Sequence, residues 1–146
     1  MMQLLFSLVI FAHTPAIPGW TNNFDSARAE AKVEGKYILL NFSGSDWCIP
    51  CMKMEQDIFA SDEFKNFAKD NLVLVNADFP RKSRDQLPKQ QQKMNDALAD
   101  KYNQEGSFPL TLLLDSDGNK IKVWDGYYKN GPENFVNEIR VATGKD

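Results

Sequence analysis

An α/β domain is predicted by three features of this sequence. Apolar runs at residues 37–42, 72–79 and 110–114, the second rich in β-branched residues, have the length of strands. Segments rich in helix formers alternate with them. Near the end, Asp117-Gly118 carries the turn signal of a hairpin, which adds an antiparallel pair to one side of the sheet.

At 146 residues the chain suits one domain with a real core, and no internal repeat or linker divides it. A hydrophobic share of 42% with 25% charged residues is ordinary globular composition and argues against disorder. A net charge of -3 argues against a nucleic-acid or anionic-membrane binder, which needs clustered positive charge. The cluster Arg81-Lys82-Ser83-Arg84 is therefore expected to be a solvated loop.

Residues 1–20 contain no charged side chain, and residues 4–12 are almost unbrokenly apolar. That run is too short to span a bilayer, which takes about 20 residues, so no stable membrane span is expected. It matches the apolar region of a secretory signal, with Thr14-Pro15-Ala16 supplying small residues near a cleavage point after Ala16. The expectation is a signal peptide over residues 1–16, a mature domain over 20–146, and a periplasmic or secreted protein. The alternative is a cytoplasmic protein whose first strand is this run.

In chain order, Asn23 or Asp25 can cap a helix over residues 26–34, and Gly35 can end it in a left-handed conformation. Residues 36–42 form a strand without polar alternation, as a central strand covered on both faces requires. The turn Ser43-Gly44-Ser45-Asp46 leads to a helix from residue 48 or 49 to about 59, with Pro50 in its first turn. Ser61 or Asp62 caps a further helix ending near Asn71, and residues 72–79 form the next strand. Residues 81–93 are a polar excursion, read as a solvated connector in preference to a partner-specific insertion. A helix over 89–102 repeats Met94, Leu98 and Tyr102 at helical spacing. Strands at 110–114 and 120–124 form the hairpin, and a helix over 134–141 closes the chain.

The chemistry is concentrated in Trp47-Cys48-Ile49-Pro50-Cys51, which holds the only two cysteines. Residues three apart in a helix share a face, so the two sulfurs can meet. Cys48 falls at the helix start, where unpaired N–H groups and the dipole favour a thiolate, the species that attacks disulfides. As a purely structural staple the pair is weak, since closing a four-residue loop is worth only about 2 kcal/mol.

With this motif at the end of the first clear strand, the chain resembles the thioredoxin superfamily. More narrowly, Phe42 to Cys48 together with Val75-Asn76-Ala77-Asp78-Phe79-Pro80 is similar to exported bacterial thioredoxin-like proteins, over about residues 20–143. The resemblance implies a three-layer sandwich, a central mixed β-sheet flanked by helices. It also implies that Cys48 attacks a substrate disulfide and Cys51 resolves the mixed disulfide. Pro109 matches the family's cis-proline facing the motif, Phe108 would present its backbone to an extended substrate, and Trp47 would meet the partner at the surface. Ile49, Pro50 and Asp46 are supporting residues. Three departures accompany this. Asn41 stands near the family's titrating buried carboxylate, and an amide cannot take a proton from Cys51, which leaves Asp46, Glu55 or water. The loop before the motif is one residue longer than in ordinary thioredoxin, and Leu110 follows Pro109 where Thr is common.

The leading expectation is a thiol-disulfide oxidoreductase acting as a monomer on protein disulfides, with electrons from a thiol donor protein. The redox-active Cys48–Cys51 disulfide is its working group, and no cofactor is expected. An uncharged Ile49-Pro50 pair beside Asp46 does not favour an unusually stable thiolate, so reduction is the expected direction. The alternative is a thioredoxin-fold binding module or chaperone without redox turnover. A zinc site would lack half its ligands, a Cys-His hydrolase would lack its base beyond His13, and no dinucleotide or phosphate loop is present.

Overall fold

A computed structural model describes residues 19–146. The signal-peptide expectation for residues 1–16, and His13 with it, lies outside the described residues. The elements run β1 (Trp20–Thr21), α1 (Phe24–Glu34), β2 (Tyr37–Ser43), α2 (Ile49–Met54), α3 (Asp62–Asn71), β3 (Leu72–Asp78), α4 (Lys89–Tyr102), β4 (Leu110–Leu114), β5 (Lys120–Asp125) and α5 (Gly131–Thr143). A π-helical segment, Glu55–Phe59, continues α2, and a short 3-10 turn, Ser83–Asp85, interrupts the loop before α4.

The five strands form one mixed sheet in the order β1-β3-β2-β4-β5. Strands β1 and β2 flank β3 in parallel, while β4 runs antiparallel to β2 and to β5. Period-two alternation sorts the side chains between two cores. Ile38, Leu40 and Phe42 of β2 join Val73, Val75 and Ala77 of β3 and Leu112 of β4 under α1 and α4. Leu39 and Leu113 face the other way, into a core with Met54, Ile58, Phe64, Phe135 and Ile139 from the helices across the sheet. Both faces of β2 are covered, which is why that strand is apolar at successive positions.

Each helix end has a local cause. Asn23 caps α1 by accepting from the Ser26 N–H at 3.0 Å, and Ser61 caps α3 by accepting from the Phe64 N–H at 3.2 Å. Gly35 leaves α1 with φ +66°, a conformation that favours glycine. In the hairpin, the Asp115 carboxylate accepts from the Asp117 and Asn119 N–H groups, both at 2.9 Å, and its pKa is lowered chiefly by the Asn119 side chain.

Two features depart from the sequence expectation. Strand β1 adds an edge to a sheet expected to begin at residue 36; with two residues it has no period to detect. The motif helix does not stay α-helical to residue 59, because the Ala60 N–H reaches the Glu55 carbonyl at 2.7 Å in the wider i→i+5 pattern. On the α5 side, Glu138 accepts from Trp124 Nε1 at 2.8 Å and Tyr128 Oη at 2.7 Å, with Lys122 Nζ at 3.3 Å. The Tyr128 hydroxyl is the main cause of its lowered pKa. This cluster fastens β5 to α5.

Candidate active site

The site begins where β2 ends. Ser43-Gly44-Ser45-Asp46 turns the chain, with the Trp47 and Cys48 N–H groups both donating to the Gly44 carbonyl. Cys48 is the N-cap of α2 and Pro50 lies in its first turn. Cys48 and Cys51 are joined in a disulfide with their Cα atoms 5.2 Å apart. The Cys51 N–H donates to Cys48 Sγ at 3.3 Å, so the sulfur takes the role a Ser or Asp oxygen plays at an ordinary N-cap. A backbone N–H and the positive end of a helix aimed at a sulfur favour its thiolate over its thiol. Both cysteines are buried, at 3% and 5% exposure, whereas the neighbouring Ile49 is 64% exposed.

Across from the motif, the loop before β4 is shaped by Asn103, whose side chain exchanges hydrogen bonds of 2.9 Å with the Ser107 N–H and carbonyl. The Phe108-Pro109 peptide bond that follows is cis. The Pro109 carbonyl accepts from the Gly126 N–H at 2.8 Å, while the Phe108 N–H and carbonyl have no hydrogen-bond partner among the described residues. The Phe108 ring packs edge-on against Trp47, with centroids 5.3 Å apart, and against Phe79 at 5.6 Å. Trp47, Phe108 and Pro109 are thus brought together.

Beneath the motif helix lies a polar row that crosses three strands. Asn41 pairs in register with Asn76 of β3 and with Thr111 of β4, and alternation puts all three on the face that α2 covers. Asn41 Nδ2 donates to Asn76 Oδ1, and Thr111 Oγ1 donates to Asn41 Oδ1, both at 3.0 Å. A groove of about 520 Å³ has Asn41, Ser43, Cys51, Glu55 and Asn76 in its lining. Cys51 thus shares this groove with the amides of Asn41 and Asn76 and with the carboxylate of Glu55.

Asp46, a supporting residue by resemblance, and Asp78 at the end of β3 both brace the loop around the motif. The two Asp46 oxygens accept from the Arg81 and Lys82 N–H groups at 2.9 and 2.8 Å, and the Arg81 bond is the main cause of a lowered carboxyl pKa. Asp78 accepts from the Ser45 N–H at 2.9 Å and its hydroxyl at 2.6 Å. Trp47 Nε1 donates to the Phe79 carbonyl at 2.7 Å. Buried Asn95 of α4 holds the Asp78 carbonyl at 2.9 Å. The polar excursion is solvated, as Arg81 to Asp85 are all exposed, yet its first two residues are tied to the motif loop. Sequence reasoning did not bring Asp78, Arg81 or Asn95 to the site. No sequence signal links side chains 33 to 36 positions apart; the separations are spanned only by the register of β2 beside β3.

This tie yields a test. Asp46→Ala should speed hydrogen exchange of the Arg81 and Lys82 amides at neutral pH, with the amides in the centre of β3 unaffected. In the wild type the carboxylate is retained to unusually low pH, so protection of these two amides should persist through the ordinary carboxylate range. It should be lost only as pH falls through the lowered value. Unchanged exchange in the variant would show that the loop is held by other contacts.

Among the described residues, no group of three or more His, Cys, Asp or Glu side chains could hold a metal ion, and no helix is long and apolar enough to cross a membrane. Residues 24–142 match the family model described as a thioredoxin-like domain. The chain is 34% identical over 120 residues to the disulfide bond reductase DsbH of Chlamydia pneumoniae, covering 82% of this chain and 70% of the relative. A solved structure of a DsbH oxidoreductase superposes with a TM-score of 0.77 at 29% identity, covering 94% of this chain and 95% of the other. A thioredoxin from Thermus thermophilus, 17% identical, shares the fold with a TM-score of 0.63 over 86% of this chain and 88% of its own. With its paired cysteines at the head of α2, this chain is a thiol-disulfide oxidoreductase and belongs to the thioredoxin-like family.

Proposed function

We propose that the protein is an exported reductase of protein disulfides, working through a Cys48 nucleophile and a Cys51 resolving thiol. The observation that carries the roles is the asymmetry at the head of α2. Cys48 Sγ is the capping atom with a backbone N–H aimed at it, whereas Cys51 lies inside the first turn above neutral amides. In the reduced protein, the Cys48 thiolate attacks one sulfur of the substrate disulfide. A Cys48–substrate disulfide forms, and the other substrate sulfur leaves as a thiolate. Cys51 then gives up its proton and attacks Cys48 Sγ, which releases the second substrate thiolate and closes the Cys48–Cys51 disulfide. Two electrons have passed to the substrate, and a donor protein's dithiol restores them by the same exchange in reverse. The Phe108 backbone groups, without a partner among the described residues, and the apolar side chains of Ile49 and Phe108 suit an extended polypeptide laid beside the motif.

Reduction is favoured over oxidation by the uncharged Ile49-Pro50 pair, because a strong oxidant needs an unusually stabilised reduced thiolate. The similarity to DsbH, a disulfide bond reductase, supports the same direction. Export is supported by the apolar run and small residues of positions 1–16. Equilibration with glutathione buffers tests the direction. The expected potential is close to that of thioredoxin, about -270 mV, and a value on the order of -120 mV would overturn the reductase reading.

A further inference from the structure

The motif's tryptophan is not an open aromatic face. Arg81 lies on it, with the guanidinium carbon 3.5 Å from the ring centroid. The indole N–H is occupied by the Phe79 carbonyl and its edge by Phe108. Gly44 lies so close that a β-carbon there would overlap the ring. A partner approaching Cys48 over Trp47 therefore meets a guanidinium placed over an aromatic ring.

That guanidinium is held in place and left without an anion. Its backbone is pinned through the Arg81 N–H to Asp46 and its guanidinium rests over the indole, which reduces the freedom to be lost on binding. Among the described residues no carboxylate lies within 4.0 Å of it, and its side chain makes no hydrogen bond. Residues 1–18 contain no Asp or Glu that could pair with it. The acids around this loop are directed elsewhere: Asp46 to two backbone N–H groups, Asp78 to Ser45, and Asp85 to Arg84. Lys82 beside it also lacks a carboxylate partner among the described residues, while Ile49 and Met52 on the motif helix are exposed and uncharged. The Arg81 guanidinium is thus a cation on the ring of the residue that precedes Cys48, without a carboxylate partner of its own among the described residues.

We propose that Arg81 is a specificity-determining residue of the disulfide site, where it takes the carboxylate of an Asp or Glu lying close in sequence to the cysteine under attack. The occupant is an extended polypeptide with an acidic side chain beside its disulfide. The fork of N–H donors fits that group, and charge-assisted pairing rewards it. This inference rests on the reading that polypeptide disulfides are the substrates, and it assigns which of them are preferred.

The test uses the oxidised mature chain and two peptides that differ only in Glu or Gln beside a serine placed for the target cysteine. Calorimetric titration should give about five-fold tighter binding of the Glu peptide by the wild type, falling with added salt. Arg81→Gln should bring the ratio to about one, and Arg81→Lys should restore part of it through charge alone. The matching disulfide peptides, supplied to the reduced protein, should show the same preference in KM rather than in kcat. An equal ratio in wild type and Arg81→Gln, or a loss shared equally by both peptides, would overturn the proposal in favour of a structural role. If neither disulfide peptide is reduced, the reductase reading falls while the binding ratio still decides the inference.

Discussion

Cys48→Ser should reduce insulin no faster than the dithiothreitol background, while Cys51→Ser should stall after one step with the substrate covalently attached. The two cysteines share one bond in the oxidised protein, and their surroundings separate them after it opens. Serine at position 48 keeps a capping oxygen for the Cys51 N–H, so α2 is retained and the loss is chemical rather than structural. A hydroxyl ionises far too weakly to attack a disulfide at neutral pH. Serine at position 51 leaves the Cys48 nucleophile and its helix-terminal environment in place, so the first exchange still runs. Mass spectrometry under non-reducing conditions should detect the mixed disulfide on Cys51→Ser alone. Trapping on Cys48→Ser instead would reverse the assigned roles. Equal low turnover in all three proteins would support a binding module without redox turnover.

In the proposed mechanism the resolving step at Cys51 has an unusual setting. Asn41 spends its oxygen on Thr111 and an N–H on Asn76, so an amide row occupies the sheet face below Cys51. Such a row accepts no proton, and it places no negative charge against either thiolate. The groove that Cys51 lines also carries Ser43 and the carboxylate of Glu55.

The central strands were legible because both of their faces are buried, and burial on two faces writes an apolar residue at nearly every position of β2, β3 and β4. The caps at Asn23, Ser61 and Gly35 were legible for a different reason: each is a local contact within four residues. The motif was legible because its two sulfurs are also local. What failed was non-local or without period. Trp20–Thr21 is a strand only because β3 offers it an edge. The π turn after Met54 changes hydrogen-bond spacing without changing composition. Asn95 looks like any polar residue on a solvated helix face, yet it is buried against the end of β3. Arg81 belongs by composition to a charged loop, and it reaches the site because Asp46 collects its backbone.

The same distinction governs stability, where the largest effect is expected far from the cysteines. Phe135 is fully buried at the meeting point of α5, the π segment and β5. Its ring lies 4.6 Å from Trp124, 5.2 Å from Tyr128, and 6.1 Å from both Phe59 and Phe64. Phe135→Ala removes the shared partner of all these rings at once, and rigid aromatic neighbours cannot collapse into the space. The expected cost is about 3–5 kcal/mol, a fall in Tm on the order of 10–20 °C for a domain of this size. Val141→Ala, on the same helix but 88% exposed, should stay within about 0.5 kcal/mol of wild type. Urea titrations of both variants measure the two costs directly. A loss below about 1 kcal/mol for Phe135→Ala would mean that α5 can re-seat itself on the sheet. Because Phe59 ends the segment that begins at Cys48, loosening its aromatic seat should also speed amide exchange along the motif helix. Exchange there that tracked wild type would confine the damage to α5.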